Sequence, residues 1–214
     1  AGFMAVRSLD KLTAPFLTDN TPPFDLGVIC KANREDVRGI RANLPAGPVM
    51  SLELAQLLMM GHKGPGPAPI LEDNPDGDGT KILRWLDAEG RAHREGGPAT
   101  IVFDPARSLV VMDIWSLNGL MHRTGGKPAS TEWDRESGRV LAQTWREGGK
   151  MHNVSGPALR LFDWNNNILI QRWHFNDDVR RLNDGPTYTK TDMASGITIF
   201  EEWETRLGNG RLMH

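Results

Sequence analysis

Cysteine is almost absent from this chain, and that scarcity is informative. The one cysteine, Cys30, cannot form an internal disulfide, which excludes a disulfide-stapled secreted fold and favours a reducing compartment. Cys30 follows the apolar run of residues 27–29, so a buried thiol is a better interpretation than a nucleophile. We therefore expect a cytoplasmic protein without a reactive cysteine.

Charge of one sign and long apolar runs are also missing. The sequence has 25 basic and 27 acidic residues, a balance that argues against nucleic-acid binding. No apolar run reaches the roughly 18 residues of a membrane span, and no basic segment followed by an apolar stretch marks a signal peptide. We interpret residues 1–3 as a cloning remnant and Met4 as the natural start.

Recognisable catalytic motifs are absent too. The sequence has no Gly-x-Gly-x-x-Gly opening a helix, no phosphate-binding loop and no Gly-x-Ser-x-Gly elbow. We therefore expect a protein that is not an enzyme, with no catalytic residue, no cofactor site and no metal site.

What the sequence does contain is a period near thirty residues. Tryptophans recur at spacings of 30, 30, 28 and 30, and histidines and Pro-Ala pairs keep the same register. The tryptophans are Trp85, Trp115, Trp145, Trp173 and Trp203, and the central histidine markers are His93, His122 and His152. Such self-similarity is typical of a repeat architecture.

Each repeat has the pattern of a β-hairpin. A short strand follows Pro-Ala and ends at an aspartate, as in Thr100–Asp104, and turn-forming residues then precede an alternating strand that ends at the next tryptophan. The recurring aspartates are interpreted as caps of their own turns. In the return strand of that hairpin, Leu109, Val111, Asp113 and Trp115 are expected on one face and Val110, Met112 and Ile114 on the other.

The predicted fold is therefore mainly β: tandem hairpins forming an elongated antiparallel meander sheet over residues 61–214. Residues 1–60 lack the markers and are expected to form a small irregular or α-helical cap. Within them, Ser51–Met60 has a capping serine and leucines at helical spacing, which favours a helix over a strand, and Glu35–Asn43 is a second candidate helix.

The histidines are better explained by structure than by metal binding. Equivalent residues in successive hairpins lie about 10 Å apart, whereas zinc needs its ligand atoms near 2 Å from one ion. We expect each ring to bond a turn carbonyl. The segment Asp73–Gly79 is similar to a calcium loop, but Trp85 stands where the final carboxylate belongs, so an elongated turn is the better interpretation.

The segments Trp115–Arg123 and Trp145–Ala158 resemble variant MORN repeats, and the resemblance extends over roughly residues 61–214. It implies hairpins stacked into elongated sheets, a role in binding proteins or lipids, and no shared catalytic residue. MORN-like repeats occur in bacterial and viral proteins, including a family described as antitoxin components. The repeat here is longer than the standard one and has Trp in place of its Tyr-x-Gly opening, so lipid binding is not expected.

Two hypotheses for function remain. The first is a non-enzymatic protein-binding repeat protein that inhibits its partner, like an antitoxin or a phage host-interaction protein. Residues that break the repeat are its candidate contacts: Trp164, Arg172, Arg180 and Arg181. The strand ending at Trp203 is expected to leave an open edge for a homo-oligomer or a partner strand. The alternative is an enzyme, or a small-ligand or glycan binder, with a site where residues 1–60 meet the sheet.

Overall fold

The computed structural model describes residues 47–62, 67–180 and 185–203, together with the backbone of residues 205–206 and 212–213. Cys30 and the candidate helix at residues 35–43 lie outside the described residues. In the described part of the chain, one helix, α1 (Leu52–Met60), precedes a series of strands. No helix there has the length and apolar character that crossing a membrane requires.

The longer strands form one antiparallel meander sheet, which confirms the predicted fold class. Its order follows the chain, and the only strands skipped are short ones in the linkers. The ten strands are β1 (Ile70–Asp73), β2 (Lys81–Arg84), β3 (Thr100–Asp104), β4 (Leu109–Ile114), β7 (Ser130–Trp133), β8 (Val140–Thr144), β11 (Leu159–Asp163), β12 (Ile168–Arg172), β15 (Tyr188–Asp192) and β16 (Thr198–Glu202).

The linkers form small hairpins of their own, which the sequence analysis missed. Each has two residues per strand: β5 (Ser116–Leu117) with β6 (Leu120–Met121), β9 (Arg146–Glu147) with β10 (Lys150–Met151), β13 (His174–Phe175) with β14 (Asp178–Val179), and β17 (Thr205–Arg206) with β18 (Leu212–Met213). In the β9–β10 turn, Gly148 and Gly149 have φ angles of 56° and 83°. Two successive positive φ angles are the signature of the type I′ turn, which matches strand twist.

The chain divides into two compact units. Among the described residues, the first comprises those up to residue 119 together with residues 133–139, and the second comprises residues 120–132 and those from residue 140 onward. The predicted division at residue 60 remains a prediction, but α1 belongs to the same compact unit as β1–β4.

Helix α1 begins where its sequence predicts. The Ser51 hydroxyl accepts a hydrogen bond from the Leu54 amide at 3.2 Å, as an N-cap residue does. At the other end, the Gly61 amide donates to the Leu57 carbonyl at 2.9 Å. Ala55 is fully buried and Leu58 packs against the core, so the preference for a helix over a strand in Ser51–Met60 is confirmed.

The core of the first compact unit lies between α1 and one face of β1–β4. Its buried members are Met50, Ala55, Leu83, Trp85, Ile101, Phe103 and Val110. Val110 belongs to this face because a β-bulge shifts the register of β3 against β4 between Val102 and Phe103. The predicted strict alternation through Leu109–Trp115 is therefore wrong. An extra residue in one strand moves the following side chains to the other face.

Consecutive repeats are joined by the same backbone hydrogen bond within each compact unit. The tryptophan amide donates to the carbonyl of the residue that follows proline in the next repeat, at 2.8 Å from Trp85 to Ala99 and at 2.8 Å from Trp145 to Ala158. Ala99, Ala129 and Ala158 are all completely buried. At the next joint Thr187 takes the place of the alanine, accepts the same hydrogen bond from the Trp173 amide at 2.9 Å and is also buried, so this position holds a small, buried side chain at each of these joints.

Candidate functional site

The repeated histidines hold the small hairpins in place. The Nδ1 atom of His93 accepts a hydrogen bond from the Asn118 amide at 3.1 Å, and that of His122 accepts one from the Gly148 amide at 3.0 Å. His152 Nδ1 lies 2.9 Å from Asn176 Oδ1. The rings thus bond the next turn, as expected, but His93 and His122 accept from an amide instead of bonding a carbonyl. A lone pair engaged by an amide hydrogen cannot serve as a general base.

A metal centre finds no support in the residues that the structure describes. No three His, Cys, Asp or Glu side chains among them lie close enough to hold one ion. In the segment that is similar to a calcium loop, Asp78 Oδ1 accepts hydrogen bonds from the amide and hydroxyl of Thr80, at 2.9 and 2.7 Å. This carboxylate is therefore used to close the turn.

Two of the repeated tryptophans are buried against arginines. Trp85 is 6% exposed and has the Arg94 guanidinium 3.7 Å from its ring centroid. Burial lowers the pKa of Arg94 to about 10, so this arginine is charged at neutral pH. Trp145 has Arg160 at 5.1 Å and donates from Nε1 to the Gly126 carbonyl at 2.8 Å. Each of these two indole rings therefore packs against an arginine of the same chain.

The recurring aspartates close the long hairpin loops, as predicted. Asp134 and Asp192 each accept hydrogen bonds from the amide and hydroxyl of a serine three residues on, at 2.5–2.7 Å. In the equivalent loop, Asp163 accepts from the Asn166 amide at 3.1 Å. These hydrogen bonds stabilise the charged form and lower the pKa of all three carboxyl groups.

One arginine links three successive loops of the first compact unit. Arg135 donates from Nε to the buried carboxylate of Asp104 at 2.6 Å and from Nη2 to the Asp78 carbonyl at 3.0 Å. Asp104 also accepts from Arg107 at 2.9 Å. Burial opposes the charge on Asp104, but these hydrogen bonds outweigh it and lower its pKa to about 2. We refer to Asp78, Asp104 and Arg135 as the loop clamp.

The candidate contact residue Trp164 lies in the loop after β11, with 39% of its surface exposed. Its ring stacks on Phe162 with centroids 5.9 Å apart, and its Nε1 donates to the Val140 carbonyl at 2.7 Å. The side chain therefore folds back on its own sheet while keeping one face in solvent. It is held by these contacts whether or not a partner binds.

The candidate arginines each pack on an aromatic ring of their own compact unit. Arg172 lies 5.0 Å from the Tyr188 ring centroid, and Arg180 lies 4.7 Å from that of Phe175. Both side chains are exposed. Arg181 lies outside the described residues. The structure thus shows two separate cation–aromatic contacts.

The most unusual surface is the last long strand, β16, which the candidate residues did not include. β16 pairs with β15 alone among the described strands. Large apolar side chains on and around it are exposed: Ile197 at 63%, Ile199 at 56%, Phe200 at 49% and Trp203 at 54%. We call these four residues the β16 patch. Trp203 contrasts with Trp85, Trp145 and Trp173, which are 6–9% exposed.

The chain has no match among protein-family models, curated proteins or solved structures. The resemblance to MORN repeats therefore stays a prediction that rests on the sequence pattern alone.

Proposed function

We propose that this chain is a non-enzymatic, protein-binding repeat protein that engages its partner through β16 and the β16 patch. The observation that carries the proposal is an edge strand with four exposed large apolar residues. An unpaired edge offers backbone donors and acceptors to an incoming strand, and the apolar side chains add affinity.

The polar residues that recur in the repeats contact other parts of the same chain, which supports the same proposal. The histidines, aspartates and arginines that recur in the sequence bind turns, loops and rings, as described above for His122, Asp134 and Arg94. Where α1 meets the sheet, the contact consists of side chains such as Met50, Leu83 and Phe103. No observation in the described residues favours an enzyme or a glycan binder with a site at that junction.

The finer form of the proposal is that binding inhibits the partner, as an antitoxin or a phage host-interaction protein does. It rests on the MORN-like pattern of residues 61–214. Trp164, Arg172 and Arg180 are proposed as further contacts, since each is exposed on the same compact unit as β16.

Affinity capture with three forms of the full chain tests the proposal. The wild type is compared with Phe200→Lys, in the β16 patch, and with Val154→Lys, a control residue that is 62% exposed elsewhere in the same compact unit. The protein should retain a partner that Val154→Lys also retains and that Phe200→Lys loses. Equal retention by all three forms, or none above background, would contradict binding through β16.

A further inference from the structure

The two edge strands of the ten-stranded sheet, β1 and β16, correspond to the two kinds of strand that pair where one repeat meets the next. We propose that the protein associates head to tail with further copies of itself, with β16 of one copy pairing with β1 of the next. The inference rests on the proposed function, because it names the partner of β16.

Within one chain, the contacts between consecutive repeats show which strand pairs with a strand that ends at a tryptophan. β2, β8 and β12 end just before Trp85, Trp145 and Trp173, and each pairs antiparallel with the strand that follows the next proline: β3, β11 and β15, respectively. β16 ends before Trp203, so it corresponds to β2, β8 and β12. β1 begins directly after Ala68-Pro69, which hold the places of Pro98-Ala99, so it corresponds to β3, β11 and β15. Among the described strands it pairs with β2 alone.

The exposed residues at the two edges are those that internal joints bury. Ala68 is exposed, whereas Pro98 and Pro157, which hold the same place before their strands, are buried. Trp203 is 54% exposed, whereas Trp145 is 6% exposed. A joint between copies would bury both groups at once.

The joint also supplies a specific hydrogen bond. At internal joints the tryptophan amide donates to the carbonyl of the residue after proline, as from Trp145 to Ala158 at 2.8 Å. The strand registers place Pro69 where Ala99 and Ala158 stand, and neither the Trp203 amide nor the Pro69 carbonyl has such a partner among the described residues. The expected bond therefore runs from the Trp203 amide of one copy to the Pro69 carbonyl of the next.

The internal register predicts the cross-strand pairs of the joint. Gln143, two residues before its tryptophan, lies opposite Arg160, two residues after its alanine, and Gln171 lies opposite Thr189 in the same way. Ile70 corresponds to Leu159, since each pairs with the residue just before a tryptophan in its own hairpin, so the equivalent pair between copies is Glu201 with Leu71. On either side of it, Thr144 lies opposite Leu159 and Ala142 opposite Leu161, so Glu202 is expected opposite Ile70 and Phe200 opposite Glu72.

Such a joint does not use the same surface on both copies. Each added copy presents a fresh β16, so the association is heterologous and open-ended unless the copies close into a ring. A two-fold pairing of β16 with β16 would instead stop at a dimer. The two arrangements respond differently to substitutions at Ile70, which is 40% exposed on β1.

A charge test at Ile70 examines the predicted register in the full chain. Ile70→Glu places a carboxylate opposite Glu202 and should weaken self-association about two- to fivefold, the effect of like charges facing each other across strands. Ile70→Lys, the matched control, places an opposite charge there and should not weaken it. Sedimentation velocity over a range of concentrations measures the change, with circular dichroism to show that both variants fold.

Mixing two weakened variants separates the arrangements. Ile70→Glu keeps an intact β16, and Phe200→Glu, which would face Glu72, keeps an intact β1. Each alone should associate more weakly than the wild type, while their mixture should form one joint of wild-type strength and so favour a dimer. If Ile70→Glu associates like the wild type and Phe200→Glu does not, β16 pairs with itself, which overturns the head-to-tail joint but preserves binding through β16. A monomer at all concentrations also overturns the joint. The capture experiment with Val154→Lys then decides independently whether β16 binds another protein.

Discussion

The buried carboxylate of the loop clamp gives the sharpest prediction about stability. Asp104 has no exposed surface and accepts hydrogen bonds from Arg135, Arg107 and two backbone amides. Replacing it by asparagine removes the charge and sets an NH₂ group against guanidinium donors. Because the pKa falls from 3.8 to about 2 on folding, Asp104→Asn should lower the free energy of unfolding by roughly 2 kcal/mol at pH 7.

The pH dependence follows from the direction of this shift. A carboxyl group whose pKa is lower in the folded state stabilises the protein above its unfolded pKa, and that stability is lost as the pH falls through the folded pKa. The difference between wild type and Asp104→Asn should therefore be full above about pH 4 and should shrink towards pH 2. Urea unfolding at several pH values measures it.

The repeat itself provides the control. Asp163 closes the equivalent loop in the second compact unit through Asn166, without an arginine. Asp163→Asn should therefore cost less than Asp104→Asn at pH 7. Equal losses for the two variants, or a loss at Asp104 that does not change with pH, would refute the role assigned to the loop clamp.

Three further predictions concern the joints and the core. Leu83→Ala, at a fully buried position, should lower the free energy of unfolding by about 2–5 kcal/mol in urea denaturation, whereas Leu161→Ala, 37% exposed, should cost much less. Trp145→Phe leaves the Gly126 carbonyl without its donor and should cost about 1 kcal/mol in the same assay. Gly149→Ala, at φ +83° with Leu120 only 3.3 Å from the added carbon, should lower the thermal midpoint more than Gly148→Ala, whose added carbon meets nothing within 4 Å.

Much of the fold can be predicted from the sequence because it depends on interactions between residues that are close together in the chain. A proline fixes the backbone before each strand, an aspartate closes each loop, and apolar alternation marks the strands. These features repeat, so one interpretation covers the whole array. The capped helix at Ser51–Met60 can be predicted for the same reason, since its capping hydrogen bond lies within the segment.

Other features depend on contacts between distant residues. The bulge at Val102–Phe103 places Val110 in the core beside Met50, a contact that strand alternation cannot reveal. The small hairpins are two residues per strand, too short to produce a periodic signal. Arg135 reaches Asp78 from 57 positions away in the sequence, and nothing in its own loop indicates that partner.

The β16 patch illustrates the limit for function. The sequence predicted an open edge at the strand that ends at Trp203, but Ile199 and Phe200 have the composition of core residues, and only the structure shows that they are exposed there. Among single side chains the sequence directed attention to Trp164, because a tryptophan in a turn is conspicuous. Its stacking on Phe162 depends on the local path of the loop.

Amide hydrogen exchange at the tryptophans tests the central claim most directly. The Trp85, Trp145 and Trp173 amides donate to carbonyls at repeat joints and should exchange slowly at any concentration, while the Trp203 amide should exchange fast in dilute solution and slow down once a strand binds β16. A Trp203 amide that is as protected as the others in the dilute protein, or that never gains protection under any association, would contradict the account.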